Sequence, residues 1–347
     1  MIERHTIQDK ERSALLAFGV DVSRFGAFPV DAVSLRVEDE CITGLSLDNC
    51  NLGDIPENIA DLAHLRDLIL AKNQLASLPA SLWELTQLRT LNLGENQLTR
   101  VSERVGDLTK LEGLYLHSNQ IDTLPEAIRK LKHVQVLDLS VNRMCELPEI
   151  FADLGELRFL YVSNNGLDAM PETVTQAGKL IYLNMTHNQI DRIPERIGDL
   201  KHLHELRLYN NQIMRLPESI GGLENLRELH LMSNQIDRLP ETLGNMKRLR
   251  KLFLRDNALT VLPESIGQLE SLTELDCRNN RLTVLPETIG SLKNLTDLDV
   301  RASRLTTLPE SLLDLPNLSK LDLRWNAFTG IPDVARELMA RGCSVFV

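Results

Sequence analysis

The side chains that most often carry catalysis or metal binding are scattered along this chain without the spacings that such chemistry needs. The five cysteines form no C-x-x-C pair, so neither a disulfide framework nor a zinc site is indicated. The eight histidines include no H-E-x-x-H motif, and metal ligands have to be clustered. No phosphate loop of the G-x-x-x-x-G-K type occurs. The sequence therefore predicts no catalytic residue, no metal site and no cofactor.

The composition is typical of a soluble protein with an aliphatic core: 43% of the 347 residues are hydrophobic, 25% are charged and 4% are aromatic. The net charge of −11 argues against nucleic acid as the partner, because phosphate binding needs a cationic surface. No window approaches the roughly 18 apolar residues of a membrane span, and the N-terminus lacks the long apolar region of a secretory signal. We therefore expect a cytoplasmic protein, in a reducing compartment, with no nucleic-acid or membrane partner.

A repeat of 23 residues organises the chain and runs over residues 42–317 without an insertion. Twelve units follow the template L-x-x-L-x-L-x-x-N-x-L-x-x-L-P-x-x-I-x-x-L-x-x, and a thirteenth begins at Leu318. The alternation L-x-L predicts a short strand whose leucines face inward while the intervening residues line an open face. The asparagine that follows can satisfy backbone groups at the turn, because its amide both donates and accepts. The proline of L-P-E suits the first position of a helical return segment.

These repeats resemble those of leucine-rich-repeat proteins, in particular the 23-residue intracellular class of the Ras-group and plant Ras-group-related members. The resemblance covers about nine tenths of the chain, and thirteen registered copies make it specific. It implies an α/β fold: a curved solenoid, or horseshoe, with a parallel β-sheet on the concave face and short helical or 3₁₀ segments on the convex side. It also implies a role in protein binding, although a fold does not by itself determine a function.

Both ends of the chain break the period, and a solenoid needs caps there because its terminal units expose core. Residues 1–41 contain a helix pattern and two strand-like runs that predict a hairpin. The apolar positions of this helix are Ile7, Leu15, Leu16 and Phe18. We expect the first run, VSLRV, to pair antiparallel with the first repeat strand. Residues 318–347 hold the thirteenth repeat, a helix and a last strand, CSVFV, so we expect a complete chain without a further domain.

Aromatic side chains are concentrated at the positions that the repeat places on the open face. All four tyrosines fall there, which random scatter would not give. Tyrosine-rich exposed clusters mark interfaces, although sheet faces favour aromatic residues in any case. We predict a partner-binding patch formed by Tyr115, Phe159, Tyr161, Tyr182, His187, Tyr209, His230, Met232 and Phe253.

The strands of the last units carry charges at the same positions. The stretches LDCRNN, LDVRAS and LDLRWN place aspartates in one row and arginines in the next. An aspartate and an arginine two residues apart share one face of a strand and can neutralise each other. The same arginines could instead form a docking strip for a partner with a mixed or acidic face. The predicted strip consists of Arg255, Arg278, Arg301 and Arg324.

Bacterial leucine-rich-repeat ubiquitin ligases use a catalytic cysteine in a C-x-D motif, and no cysteine of this chain has that motif. We therefore expect a non-catalytic, monomeric scaffold that binds a protein partner on its concave face, in intracellular signalling or regulation. Two alternatives stay open. The chain could be a bacterial effector that acts inside a host cell, or the recognition module of a larger kinase or GTPase protein.

Overall fold

The computed structural model describes residues 7–19 and 33–347. The chain divides into two compact units, Met1–Gly166 and Leu167–Val347. Each unit is a stack of repeats in which short strands alternate with 3₁₀ segments. Part of the predicted cap of residues 1–41 lies outside the described residues.

The first unit begins with helix α1 (Asp9–Ala17) and the antiparallel strands β1 (Val33–Glu38) and β2 (Cys41–Leu47), so the predicted hairpin is present. Each later strand pairs in parallel with the one before it. These strands are β3 (Asp67–Ile69), β4 (Thr90–Asn92), β5 (Gly113–Tyr115), β6 (Val136–Asp138) and β7 (Phe159–Tyr161). The 3₁₀ segments are Glu57–Asp61, Ala80–Glu84, Glu103–Asp107, Glu126–Lys130 and Phe151–Asp153.

Helix α1 contacts the first repeat through a buried carboxylate. The backbone N–H of Ile42 donates to the two oxygens of Glu11 at 3.3 and 3.2 Å, and burial raises the pKa of this carboxyl. Leu15 is fully buried, but Leu16 is 52% exposed, so the buried side of the helix differs from the predicted apolar face. The capping role of this segment stays a prediction that these contacts support.

The second unit has the same parallel pattern. Its strands are β8 (Tyr182–Asn184), β9 (Glu205–Arg207), β10 (Glu228–His230), β11 (Lys251–Phe253), β12 (Glu274–Asp276), β13 (Asp297–Asp299), β14 (Lys320–Asp322) and β15 (Ser344–Phe346). Helix α2 (Asp333–Ala340) precedes β15 and is followed by Gly342, whose φ of +94° is typical of a helix C-terminus. The 3₁₀ segments are Glu172–Gln176, Ile197–Asp199, Glu218–Gly222, Glu241–Asn245, Glu264–Gln268, Glu287–Ser291 and Glu310–Asp314.

The predicted fold class, a repeat solenoid with a parallel sheet and short 3₁₀ return segments, is confirmed in each unit. The proline position differs from the prediction by one residue. Pro217 is extended (φ −68°, ψ 152°) and precedes the first 3₁₀ residue, Glu218. Its carbonyl accepts from the N–H of Ile220 at 3.0 Å, so its restricted φ fixes how the segment starts. In the repeat with Ser102 in place of proline, the hydroxyl accepts from the N–H of Arg104 at 3.2 Å.

The strand leucines form the core of each repeat. Leu206 and Leu208 have no exposed surface, and neither have Ile220 and Leu223 of the return segment that packs behind them. The intervening Arg207 is half-buried, as expected for the opposite side of the strand. We use the name open face for the surface formed by the residues between and beside the strand leucines.

An asparagine, buried or half-buried, joins each repeat to the one before it, except where Cys50 and Ser303 take its place. Nδ2 of Asn211 donates to the carbonyls of Leu208 and Met185, both at 3.0 Å, and its Oδ1 accepts from the N–H of Ile190 at 3.1 Å. Met185 and Ile190 belong to the preceding repeat, so one side chain pairs backbone groups of two turns. The predicted role of this asparagine is therefore confirmed.

The turn residue before the asparagine position has a left-handed backbone throughout. The residues are Asn49, Lys72, Glu95, Ser118, Val141, Asn164, His187, Asn210, Ser233, Asp256, Asn279, Ala302 and Trp325. Glycine and asparagine tolerate this conformation, whereas a β-branched residue does not. Val141, with a φ of +57°, is therefore strained by the repeat that contains it.

Replacing Val141 by asparagine should raise the free energy of unfolding by about 1 kcal/mol, because it relieves the left-handed strain. Val141 is 47% exposed, so little apolar burial is lost. Urea and thermal unfolding measure the change. The reciprocal control, Asn164→Val, should destabilise the same unit, since Asn164 has a φ of +54°. Shifts in the same direction for the two variants would contradict this account.

Candidate functional site

In the first unit, the predicted residues Tyr115, Phe159 and Tyr161 lie on the open face, on β5 and β7, and all are half-buried. The ring of Tyr115 packs over Gly113: a Cβ added to that glycine would be 3.0 Å from Cε2 of the ring. Burial, followed by the charge of Asp138, raises the pKa of the Tyr115 hydroxyl. The phenol therefore stays protonated and available as a hydrogen-bond donor.

His117 and Asp138 lie beside Tyr115 on the same face. Nδ1 of His117 is 3.5 Å from Oδ2 of Asp138, while Oδ1 accepts from the N–H of Ser140 at 3.0 Å. The imidazole occupies the space above Gly94, which has no side chain to exclude it. Over residues 7–19 and 33–347, no lysine or arginine forms an ion pair with Asp138. This carboxylate is thus held in place without a permanent counter-charge.

In the second unit, the predicted aromatic residues make ordered contacts with their neighbours. The guanidinium carbon of Arg207 lies 5.8 Å from the centroid of the Tyr182 ring. The ring of Tyr209 meets that of His187 edge-on, with 5.3 Å between centroids. His187 belongs to the left-handed turn beside the open face (φ +55°) and not to a strand. Met232 is half-buried at the open-face position after β10.

His230 of β10 is buried, although the sequence placed it among exposed residues. It is 9% exposed, and its ring packs 4.8 Å from that of Phe253, centroid to centroid. Its Nε2 is 3.1 Å from Oε2 of Glu228 and 3.7 Å from Oε1 of Glu205. Burial lowers the pKa of this imidazole, although its hydrogen bond to Glu228 acts in the opposite direction.

Glu205, Glu228 and His230 form a set of donors that could suit a divalent metal, since their ligand atoms lie within 4.8 Å of one another. Both carboxylates are already engaged by cations of the protein. Arg207 pairs with Glu205, and Nζ of Lys251 is 3.0 Å from Oε1 of Glu228. A metal would have to displace these cations, so the geometry describes a neutralised charge cluster. The absence of a metal site stays a prediction.

Acidification should destabilise the protein through His230. Because its pKa is lower in the folded state, the unfolded chain binds the proton first, and stability falls from about pH 7 to about pH 5. His230→Gln should reduce this loss, measured as the change in melting temperature between the two pH values. His133→Gln, at an exposed histidine, is the matched control and should follow the parent. Equal losses in the parent and in His230→Gln would contradict the prediction.

The aspartates and arginines of the last strands pair with one another. Nη2 of Arg301 is 2.8 Å from Asp299, and its Nη1 is 3.5 Å from Asp322 of the next strand. Arg278 similarly lies 3.6 Å from Asp276 and 3.8 Å from Asp299. Each of these two arginines thus joins two strands, which is the mutual neutralisation that the sequence allowed.

The two ends of the predicted docking strip differ from its middle. Arg324 is 2.7 Å from Asp322 and also lies 5.4 Å from the ring centroids of both Trp325 and Phe346. Arg255 has its carboxylate contact with Asp256, at 3.8 Å. The side chains of Arg255 and Arg324 are both 39% exposed, against 30% for Arg278 and 20% for Arg301.

Reversing the charge of Arg278 and Arg301 together, to glutamate, should lower the free energy of unfolding by about 2 kcal/mol, between the values for exposed and buried pairs. Glutamates there would face Asp276, Asp299 and Asp322. Thermal unfolding measures the loss, and Arg281→Glu, at an exposed residue, is the control. Unchanged melting together with slower association with a protein partner would instead support the docking strip.

Sequence reasoning identified the rows of the open face but not the contacts between rows. The cluster of Glu205, Glu228 and His230 was missed because its members come from different repeats. Writing the repeats under one another would have revealed it, since Glu205 and Glu228 are 23 residues apart. The same alignment places Asp138 between Tyr115 and Tyr161.

Within the part of the chain that the structure describes, no helix is long and apolar enough to cross a bilayer. The cysteines form no disulfide with one another. Cys277, the residue after β12, is buried, and burial raises the pKa of its thiol well above the usual range. This thiol is a core residue and not a reactive one.

Models of leucine-rich repeats match the chain over most of its length. The model for a leucine-rich repeat region matches residues 172–255 and 241–340, and a leucine rich repeat model matches residues 42–98 and 109–167. A model for two copies of the repeat matches residues 86–130. No curated protein matches the chain by sequence.

Solved structures agree with these matches. A leucine-rich repeat protein of Leptospira interrogans is 32% identical, with 86% of this chain and 82% of that chain covered and a TM-score of 0.71. The plant peptide hormone receptor RGFR1, in complex with RGF2, is 26% identical over 87% of this chain and 57% of the receptor (TM-score 0.69). An internalin of Listeria monocytogenes, 23% identical, shares the fold over 88% of this chain and 86% of its own (TM-score 0.76).

The chain belongs to the leucine-rich repeat proteins. Proteins of this fold commonly act as protein-binding modules, in which the repeats present a surface to a partner. The more specific assignment to the 23-residue intracellular class stays a prediction.

Proposed function

We propose that this protein is a non-catalytic scaffold that binds a protein partner on its open face. The observation that carries the proposal is the position of the tyrosines: Tyr115 and Tyr161 lie on the open face of the first unit, and Tyr182 and Tyr209 on that of the second. Tyrosine is enriched at protein interfaces because it offers a large amphipathic surface at a low entropic cost.

The contacts of these tyrosines favour binding because they restrict the rings before a partner arrives. Gly113 lets Tyr115 lie against the sheet, and His187 packs against the edge of Tyr209. A side chain that is already ordered loses less entropy when a partner covers it. The complex of RGFR1 with RGF2 shows a similar repeat array bound to a partner, which supports a polypeptide as the ligand.

Charge and cysteine chemistry support the finer parts of the proposal. A net charge of −11 favours a protein partner over nucleic acid. Five cysteines without a disulfide suit a reducing, cytoplasmic compartment. The proposal also includes a cytoplasmic location, a monomeric state and a role in signalling or regulation.

Removing the tyrosine rings of one unit should weaken capture of the partner by at least about tenfold, because interface tyrosines are frequent hot spots. We suggest two double variants, Tyr115→Ala with Tyr161→Ala, and Tyr182→Ala with Tyr209→Ala. The partner is first identified by capture from the source cells and mass spectrometry, and its affinity for each variant is then measured.

The control for these variants is Val261→Ala with Val284→Ala, which removes apolar groups that are 47% and 48% exposed beside the L-P-E prolines. It should bind the partner as the parent does. Melting temperatures show whether each variant is folded. If both tyrosine double variants are folded and bind the partner with the parent's affinity, the open face is not the binding surface.

A further inference from the structure

Asp138 lies between two tyrosines on neighbouring strands of the first unit. In the parallel register, Tyr115 of β5 is opposite Asp138 of β6, which is opposite Tyr161 of β7. Neighbouring strands are about 4.8 Å apart, so the three side chains form a continuous row on the open face. All three are half-buried, with part of each side chain accessible from the open side.

The charge of Asp138 is not compensated in the way that the charges of Asp299 and Glu228 are. Asp299 is bridged by Arg278 and Arg301, and Glu228 is paired with Lys251. The partner of Asp138 is instead the imidazole of His117, at 3.5 Å. Within the described ranges, Asp138 has no contact with a lysine or an arginine.

The floor of the row is shaped by glycines. Gly113 and Gly94 lie under the rings of Tyr115 and His117. A Cβ on Gly94 would overlap the His117 ring, and one on Gly113 would be in tight contact with the Tyr115 ring at 3.0 Å. The rings therefore lie along the sheet beside the carboxylate. Aromatic rings next to a carboxylate are the combination that attracts an organic cation, through cation–π and charge-assisted contacts.

We propose that Tyr115, Asp138 and Tyr161 form a site for one cationic side chain, arginine or lysine, presented by the partner. The inference rests on the proposed function and specifies the chemistry of its partner. Oδ1 of Asp138 accepts from the N–H of Ser140, and Oδ2, which faces Nδ1 of His117 at 3.5 Å without a hydrogen bond, receives the cation. Arginine fits better than lysine, because a planar guanidinium can stack on a tyrosine ring while one N–H donates to the carboxylate.

The test uses the 347-residue chain and short peptides of the type acetyl-Gly-X-Gly-amide, in which X is arginine, lysine, norleucine or glutamate. Ring signals of ¹³C-labelled tyrosine are followed by NMR and assigned with Tyr115→Phe and Tyr161→Phe. The arginine peptide should shift both signals with an affinity on the order of millimolar, as expected for a single side chain. The lysine peptide should bind more weakly, and the norleucine and glutamate peptides should cause no shift.

Asp138→Asn removes the charge while keeping the shape, and it should weaken binding of the arginine peptide at least about fivefold. The control Asp276→Asn changes a carboxylate that already faces Arg278, and it should bind as the parent does. Equal shifts with the norleucine peptide, or unchanged binding by Asp138→Asn, would overturn the inference. If the arginine peptide does not bind but the tyrosine double variants still lose the partner, the cation site is wrong and the proposed function stands.

Discussion

The asparagine that joins successive repeats is the interaction on which the rest of each unit depends. Asn234, for example, donates to the carbonyls of Leu231 and of Leu208 in the repeat before it, and accepts from the N–H of Ile213. These bonds satisfy buried backbone groups that no strand pairing reaches. They also hold each repeat in register with its neighbour, since a displaced repeat would leave several polar groups unpaired. Each open-face residue is therefore stacked on its counterpart 23 residues away.

Stacking at a fixed spacing determines where charges need compensation. Asp276, Asp299 and Asp322 form a column of like charges, which would repel one another across adjacent strands. The neighbouring arginine column removes this repulsion, because Arg301 contacts both Asp299 and Asp322. Asp138 has tyrosines above and below it in its column and no like charge to be neutralised. Asp138 therefore needs no arginine partner, because the side chains next to it in its column are uncharged tyrosines.

The fold could be predicted from the sequence because the same structural pattern recurs in every repeat. The apolar pattern of the repeat explains Leu206 and Ile220. The amide of Asn211, which can both donate and accept hydrogen bonds, explains its role at the turn. The left-handed backbone of Val141 could not be predicted, because valine avoids that conformation. The hydrogen bonds of the repeat asparagines impose it. The repeat pattern likewise placed Arg278 and Arg301 in one row of the open face. The carboxylate that each arginine contacts could not be predicted, because it depends on side-chain conformations across strands. The burial of His230 could not be predicted for the same reason, because it depends on contacts with side chains of the neighbouring strands.

The return side explains why the variable residues of the repeat concentrate on the open face. Its side chains are engaged by the backbone of the next repeat: Oε2 of Glu241, for example, accepts from the N–H of Ser265 at 3.0 Å. Its glycines are close to neighbouring carbonyls, and a Cβ on Gly244 would be 2.6 Å from the oxygen of Ser265. Substitutions at residues such as Glu241 and Gly244 would therefore disturb the stacking itself. On the open face, a side chain can change without disturbing the asparagine hydrogen bonds between repeats. The side chains there can therefore differ from repeat to repeat while the architecture is kept.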